Sequence, residues 1–160
     1  MTIKTGDALP KAVFMTMGAD GPAPLSAEKL FAGKRVALVA VPGAFTPTCS
    51  AKHLPGFVKQ AVALRAKGID KIACISVNDI FVMHAWGLEQ NVGEDVVMLA
   101  DGNGDFAKAI GLEMDGTGFG MGLRSQRYSM IVNDGVVEVL HVEEAGEFKV
   151  SAAEYMLEHM

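Results

Sequence analysis

The sequence predicts one α/β domain over residues 1–160, with a mixed central sheet flanked by helices. Three observations carry that expectation. Arg35–Val41, Lys71–Val77 and Val96–Ala100 are short, β-branched apolar runs of the kind that form strands buried on both faces. Segments with helical apolar spacing alternate with them, which favours parallel strand pairs joined by helices. Near the end, Asn133-Asp134-Gly135 links the apolar runs Tyr128–Val132 and Val136–Val142, the composition of a tight antiparallel hairpin.

Each element follows from local chemistry. The first run stops at Pro42-Gly43, and Leu54–Lys67 then carries Phe57, Val58, Ala61, Val62 and Leu64 near helical spacing, with Gly68 where a C-terminal cap belongs. Phe81–Glu89 and Asp105–Ile110 are the next helices. Gly111–Leu123, with glycines at 111, 116, 118, 120 and 122, reads as loop. Ser151-Ala-Ala-Glu154 has the pattern of a capping box, so a short helix should end the chain. Parallel units followed by a hairpin and a helix is the order of thioredoxin-like domains.

Bulk properties narrow the function. The net charge is −5 and no run of Lys or Arg occurs, which argues against a nucleic-acid or anionic-membrane surface. No window reaches the roughly 18 apolar residues of a membrane span, and Met1–Lys11 has no signal-like apolar stretch, so a cytoplasmic protein is expected. His53, His84, His141 and His159 form no paired metal motif, and no metal or other cofactor is expected. Gly116–Gly122 lacks the Lys-Ser/Thr of a phosphate loop. The two cysteines, Cys49 and Cys74, are too few for a disulfide scaffold, and their meaning lies in their surroundings.

Cys49 stands after the first buried strand and at the start of the next helix, where α/β sheets gather their catalytic groups. Thr46 suits the N-cap and Pro47 the first helical position, which brings Cys49 into the first turn. A helix N-terminus favours the thiolate, the reactive form of cysteine. The Thr46 hydroxyl has two readings: it accepts from the Cys49 amide as an ordinary cap, or it donates to the sulfur or to a substrate oxygen. The second leaves the amide free for substrate.

Pro42-Gly-Ala-Phe-Thr-Pro-Thr-Cys49-Ser, followed by His53-Leu-Pro-Gly-Phe57, resembles the peroxidatic-cysteine segment of the peroxiredoxins, specifically their type II or type five branch. The similarity continues through Ser76-Val-Asn-Asp79, Phe81, Trp86, Leu99-Ala-Asp101 and Arg127-Tyr-Ser-Met130, covering nearly the whole chain. The resemblance implies a thiol peroxidase acting on hydrogen peroxide and organic hydroperoxides in antioxidant defence. Cys49 would become a sulfenic acid, Thr46 and the free Cys49 amide would hold the peroxide oxygens, and Pro42 would shield the sulfur from water. It also implies a homodimer.

Charge developing on the leaving oxygen calls for a fixed cation, and arginine keeps its charge in a dry pocket. Arg124 and Arg127 precede the hairpin, and their odd spacing would send them to opposite faces of one strand. The resemblance points to Arg127, with Arg124 secondary, orienting Arg127 or shaping the rim. A sulfenic acid must then be reduced by a second cysteine or by an external thiol. Cys74, inside a buried strand, is either packing or the resolving cysteine that plant-type members carry at a matching place. Without it, glutathione with glutaredoxin, or thioredoxin, would serve. Two other classes stay open on the residues alone. One is a Cys-His hydrolase using His53 or His141 as base; the other is a redox sensor or chaperone switched by Cys49 oxidation.

Overall fold

The computed structural model describes residues 1–160. In chain order it contains β1 (Val13–Gly18), β2 (Gly21–Ser26), α1 (Ala27–Phe31) and β3 (Arg35–Ala40), then a wide π-type turn at Cys49–His53 that runs into α2 (Leu54–Lys59). Next come α3 (Ala61–Ala66), β4 (Lys71–Ser76), α4 (Ile80–Glu89), β5 (Val97–Ala100) and α5 (Asp105–Ala109). The last elements are β6 (Glu113–Asp115), β7 (Leu123–Ser125), β8 (Tyr128–Asn133), β9 (Val136–Val142) and α6 (Ala153–Glu158).

Seven strands form one mixed sheet in the order β2-β1-β5-β4-β3-β8-β9, as the α/β expectation requires. β3 pairs parallel with β4, and β4 parallel with β5; the outer pairings are antiparallel. Alternate residues of the central strands supply two cores. Ala37, Val39, Ile72 and Cys74 pack on one face with Leu54, Phe57, Leu64, Trp86 and Met156, under α2, α3, α4 and α6. Val36, Leu38, Ala40, Ala73 and Ile75 pack on the other with Leu30, Phe31 and Phe106, under α1 and α5. This period of two, buried on both sides, is why those strands read as continuous apolar runs.

Four local expectations change. The hairpin β1–β2 lies in a stretch with no predicted strand: Pro22 and Pro24 mask it, and they are tolerated because β2 is an edge strand. The helix predicted over Leu54–Lys67 breaks at Gln60, with φ −96° and ψ 10°, although Gly68 takes the positive φ expected beyond its end. The glycine-rich segment is not all loop, since β6 and β7 pair within it as a separate two-stranded ribbon. Ser151 does not cap α6, whose N-cap is Ala152 without a side-chain bond; its hydroxyl turns instead to Glu143.

Leu38 is fully buried at the centre of β3. Truncation to alanine should destabilise the protein by about 2–5 kcal/mol, read as a lower urea midpoint at unchanged m-value.

Candidate active site

The loop after β3 is held by α4's entry segment. Asn78 Oδ1 accepts the Ala44 N–H at 3.0 Å and the Ser76 hydroxyl at 2.6 Å. Asp79 caps α4 by accepting the Val82 N–H at 2.9 Å. Gly43 gives the loop its close approach: a Cβ there would stand 3.1 Å from Thr46 Cγ2 and 3.3 Å from Met121 Cε. Phe45, at φ 65°, completes the reversal. The helix then opens at Pro47, with the Ser50 N–H donating to the Thr46 carbonyl at 2.9 Å. Pro55 has no N–H to return to residue 51, and the preceding turn widens so that Leu54 N–H donates to the Cys49 carbonyl.

Cys49 is fully buried, and two donors converge on its sulfur. The Thr46 hydroxyl lies 2.8 Å from Sγ and 2.7 Å from the Gly43 carbonyl. Arg127 Nη2 donates to Sγ at 3.1 Å. No backbone or side-chain acceptor takes the Cys49 N–H. Of the two readings of Thr46, the geometry has the hydroxyl on sulfur and the amide free. Ser50 Oγ accepts from Trp86 Nε1 at 2.9 Å, which ties the reactive turn to α4.

Arg127 immediately precedes β8, and its second nitrogen, Nη1, lies 2.9 Å from His53 Nδ1. His53 Nε2 lies 3.0 Å from the Ser151 carbonyl. A carbonyl only accepts and a guanidinium only donates, so His53 is neutral with its proton on Nε2. Burial, then the Arg127 charge, lower its pKa to about 3. Its free lone pair is spent on Arg127 and cannot take a proton from Cys49, which removes His53 as a hydrolase base. His141 packs edge-on against Tyr155 at 4.9 Å, on the α6 side of β9.

Arg124 serves another purpose: Nε donates to the Met121 carbonyl at 2.9 Å and Nη1 to the Val77 carbonyl at 3.0 Å, fastening the glycine ribbon to the rim. Pro42, with Thr48, Gln126, Arg127 and Glu143, borders a cleft of about 270 Å³ beside the buried sulfur. A larger cavity of about 630 Å³, against α4 and β5, contains none of these residues. Cys74 is a free thiol in the same core as Cys49. Burial, then the neighbouring Cys49, push its pKa well above the usual thiol range. Asn78, Ser151 and Glu143 were not expected to support the site, and His53 was expected there only as the base of a hydrolase, not as a partner of Arg127. For His53 one signal existed, its position four residues after Cys49, one turn along the same helix.

The neutral His53 makes acid destabilising. The unfolded chain takes up a proton near pH 6.5 and the folded one near 3, so between these values the unfolded state binds more protons. This contribution is complete above pH 6.5 and falls as pH drops towards 3, by roughly 2 kcal/mol at pH 5. The fall in urea midpoint from pH 7 to pH 5 should shrink in His53→Gln; equal pH slopes in both proteins would refute the assignment.

Comparison with known proteins places this geometry. The family described as Redoxin matches residues 4–157. Peroxiredoxin-2E-2, chloroplastic, of Oryza sativa subsp. japonica is 51% identical over 161 residues, covering 98% of this chain and 72% of that protein. Peroxiredoxin-2E, chloroplastic, of Arabidopsis thaliana is 49% identical over 160 residues, covering 98% and 68%. The crystal structure of reduced Prx3 from Vibrio vulnificus in complex with hydrogen peroxide superposes with a TM-score of 0.95 at 54% identity, over 99% of each chain. The thioredoxin-like architecture is therefore shared as well. Likeness at this level, sustained along almost the whole chain in both sequence and fold, makes it a member of the peroxiredoxins, an enzyme that reduces peroxide at the expense of thiols.

Proposed function

We propose that Cys49 is the peroxidatic sulfur, with Thr46, Arg127 and Pro42 completing the site, and that hydrogen peroxide and small organic hydroperoxides are its substrates. One observation carries the reading: the Thr46 hydroxyl and the Arg127 guanidinium both aim donors at Cys49 Sγ, at 2.8 and 3.1 Å. Two donors on one sulfur suit a thiolate. The hydrogen peroxide in the related Prx3 structure supports the same substrate here.

In the reaction the sulfur forms a bond to the terminal peroxide oxygen and the O–O bond breaks. The electron pair goes to the leaving oxygen, which takes up a proton and departs as water or alcohol. Cys49 is left as a sulfenic acid. Arg127 neutralises charge as it moves from sulfur to oxygen, and the free Cys49 amide offers a donor to the bound peroxide. The Thr46 hydroxyl has one proton and two acceptors in reach, so it can turn to the Gly43 carbonyl as the sulfur loses its charge. Pro42 keeps water off the sulfur.

Regeneration by an external thiol, from glutathione with glutaredoxin or from thioredoxin, fits better than internal resolution. Cys74 has no exposed surface, and its raised pKa makes it a poor nucleophile while it stays buried. Homodimer formation is part of the proposal, supported by exposed Phe45, Phe81 and Phe119. So is cytoplasmic residence, which the two free cysteines suit.

On rapid mixing with hydrogen peroxide, reduced protein should form Cys49 sulfenic acid in one fast turnover. Cys49→Ser should abolish this, and Arg127→Ala or Thr46→Val should each slow it about 100-fold. Oxidation no faster than that of an ordinary surface thiol would sink the proposal. Mass spectrometry after peroxide and glutathione should show a glutathione adduct on Cys49; a Cys49–Cys74 bridge instead would reverse the assignment of the reductant.

A further inference from the structure

Arg127 uses one nitrogen on the sulfur and the other on His53, so whatever holds His53 also aims the guanidinium. His53 is held through Nε2 by the Ser151 carbonyl at 3.0 Å. Ser151 lies outside regular secondary structure, two residues before α6. Its carbonyl stays in place only if its loop does.

The Glu143 carboxylate gathers that loop. Oε2 accepts the Lys149 N–H at 2.7 Å, the Ser151 N–H at 2.8 Å and the Ser151 hydroxyl at 2.6 Å. Glu143 is buried and belongs to none of the ion pairs of the protein. Its charge rests on these donors, and charge-assisted hydrogen bonds are the short, strong ones. At the other end the Glu143 N–H donates to the Arg127 carbonyl at 2.9 Å. The connections therefore close into a ring: Arg127 backbone, Glu143, Ser151, His53 and back to the Arg127 guanidinium.

We propose that Glu143 is a positioning residue for peroxide reduction: its carboxylate fixes the turn at residues 149–151, the Ser151 carbonyl thereby holds His53, and His53 holds Arg127 against the Cys49 sulfur. The inference rests on Cys49 being the peroxidatic residue. Glu143 itself touches neither the sulfur nor the guanidinium. An anion two hydrogen bonds behind His53 also strengthens the Nδ1 lone pair that Arg127 uses. Arg127 matters to the O–O cleavage more than to an alkylation at the same sulfur, because only cleavage builds charge on a leaving oxygen.

The test is a double-mutant cycle on full-length protein with Glu143→Gln, His53→Leu and the pair, each read by two rates: oxidation by hydrogen peroxide and alkylation of Cys49 by iodoacetamide. Glu143→Gln should slow oxidation about tenfold or more, since small misplacements of catalytic groups have effects of that size. Alkylation should change by less than about twofold, and in the His53→Leu background Glu143→Gln should add less than about twofold to the loss in oxidation. An equal effect in both backgrounds, a parallel fall in both rates, or no effect on oxidation would each overturn the proposal. If Glu143→Gln does not fold, Ser151→Ala removes only the hydroxyl bond and decides the matter by the same two ratios. A wild-type protein without fast peroxide oxidation would defeat the peroxidase assignment of Cys49. A fast wild type with an indifferent Glu143→Gln would defeat only the positioning role.

Discussion

The bridge that Arg127 makes between Cys49 Sγ and His53 Nδ1 is the contact on which the site depends. A guanidinium is planar, with its N–H groups in a fixed fork, so two acceptors at the two terminal nitrogens leave its plane no freedom. The bridge joins residues 78 positions apart, and what brings them together is sheet register. β3 and β8 pair antiparallel with Ala40 opposite Tyr128, so the residue before β8 meets the loop that leaves β3. A slip of one residue would turn the arginine to the other face of the sheet. The arrangement of the candidate site is thus a consequence of how two buried strands align.

A histidine beside the arginine works only because it stays neutral. Two cations at 2.9 Å in a buried site would repel strongly, and burial already disfavours the charged imidazole. The Ser151 carbonyl adds direction by accepting the Nε2 proton, which leaves the opposite lone pair for Arg127. Arg124 shows how much partners decide. It is the same residue type three positions earlier, yet it spends its donors on the Met121 and Val77 carbonyls and never meets the sulfur.

Much of the fold was legible because its central strands announce themselves. β3 and β4 are buried on both faces, so their β-branched runs stand out, and the turn at residues 133–135 marks the hairpin by composition. β2 was hidden because an edge strand tolerates prolines that would argue against any interior strand. Cys49, Thr46 and Arg127 were legible through a resemblance extending along the chain, and local spacing alone left the role of Thr46 undecided. Ser151 misled for a plain reason. Its capping pattern is complete within four residues, whereas the Glu143 oxygen that captures its hydroxyl is brought close only by the path of the chain after β9. Partners made by folding leave no local trace.

The hydrogen bond from Trp86 to Ser50 has a use beyond anchoring the reactive turn. Trp86 is the sole tryptophan of the chain, fully buried, and its indole N–H ends on the residue next to Cys49. Indole emission responds to hydrogen bonding and to nearby charge. In the proposed reaction Cys49 gains an oxygen one residue from the indole's acceptor, so Trp86 emission would serve as a built-in optical reporter of that step.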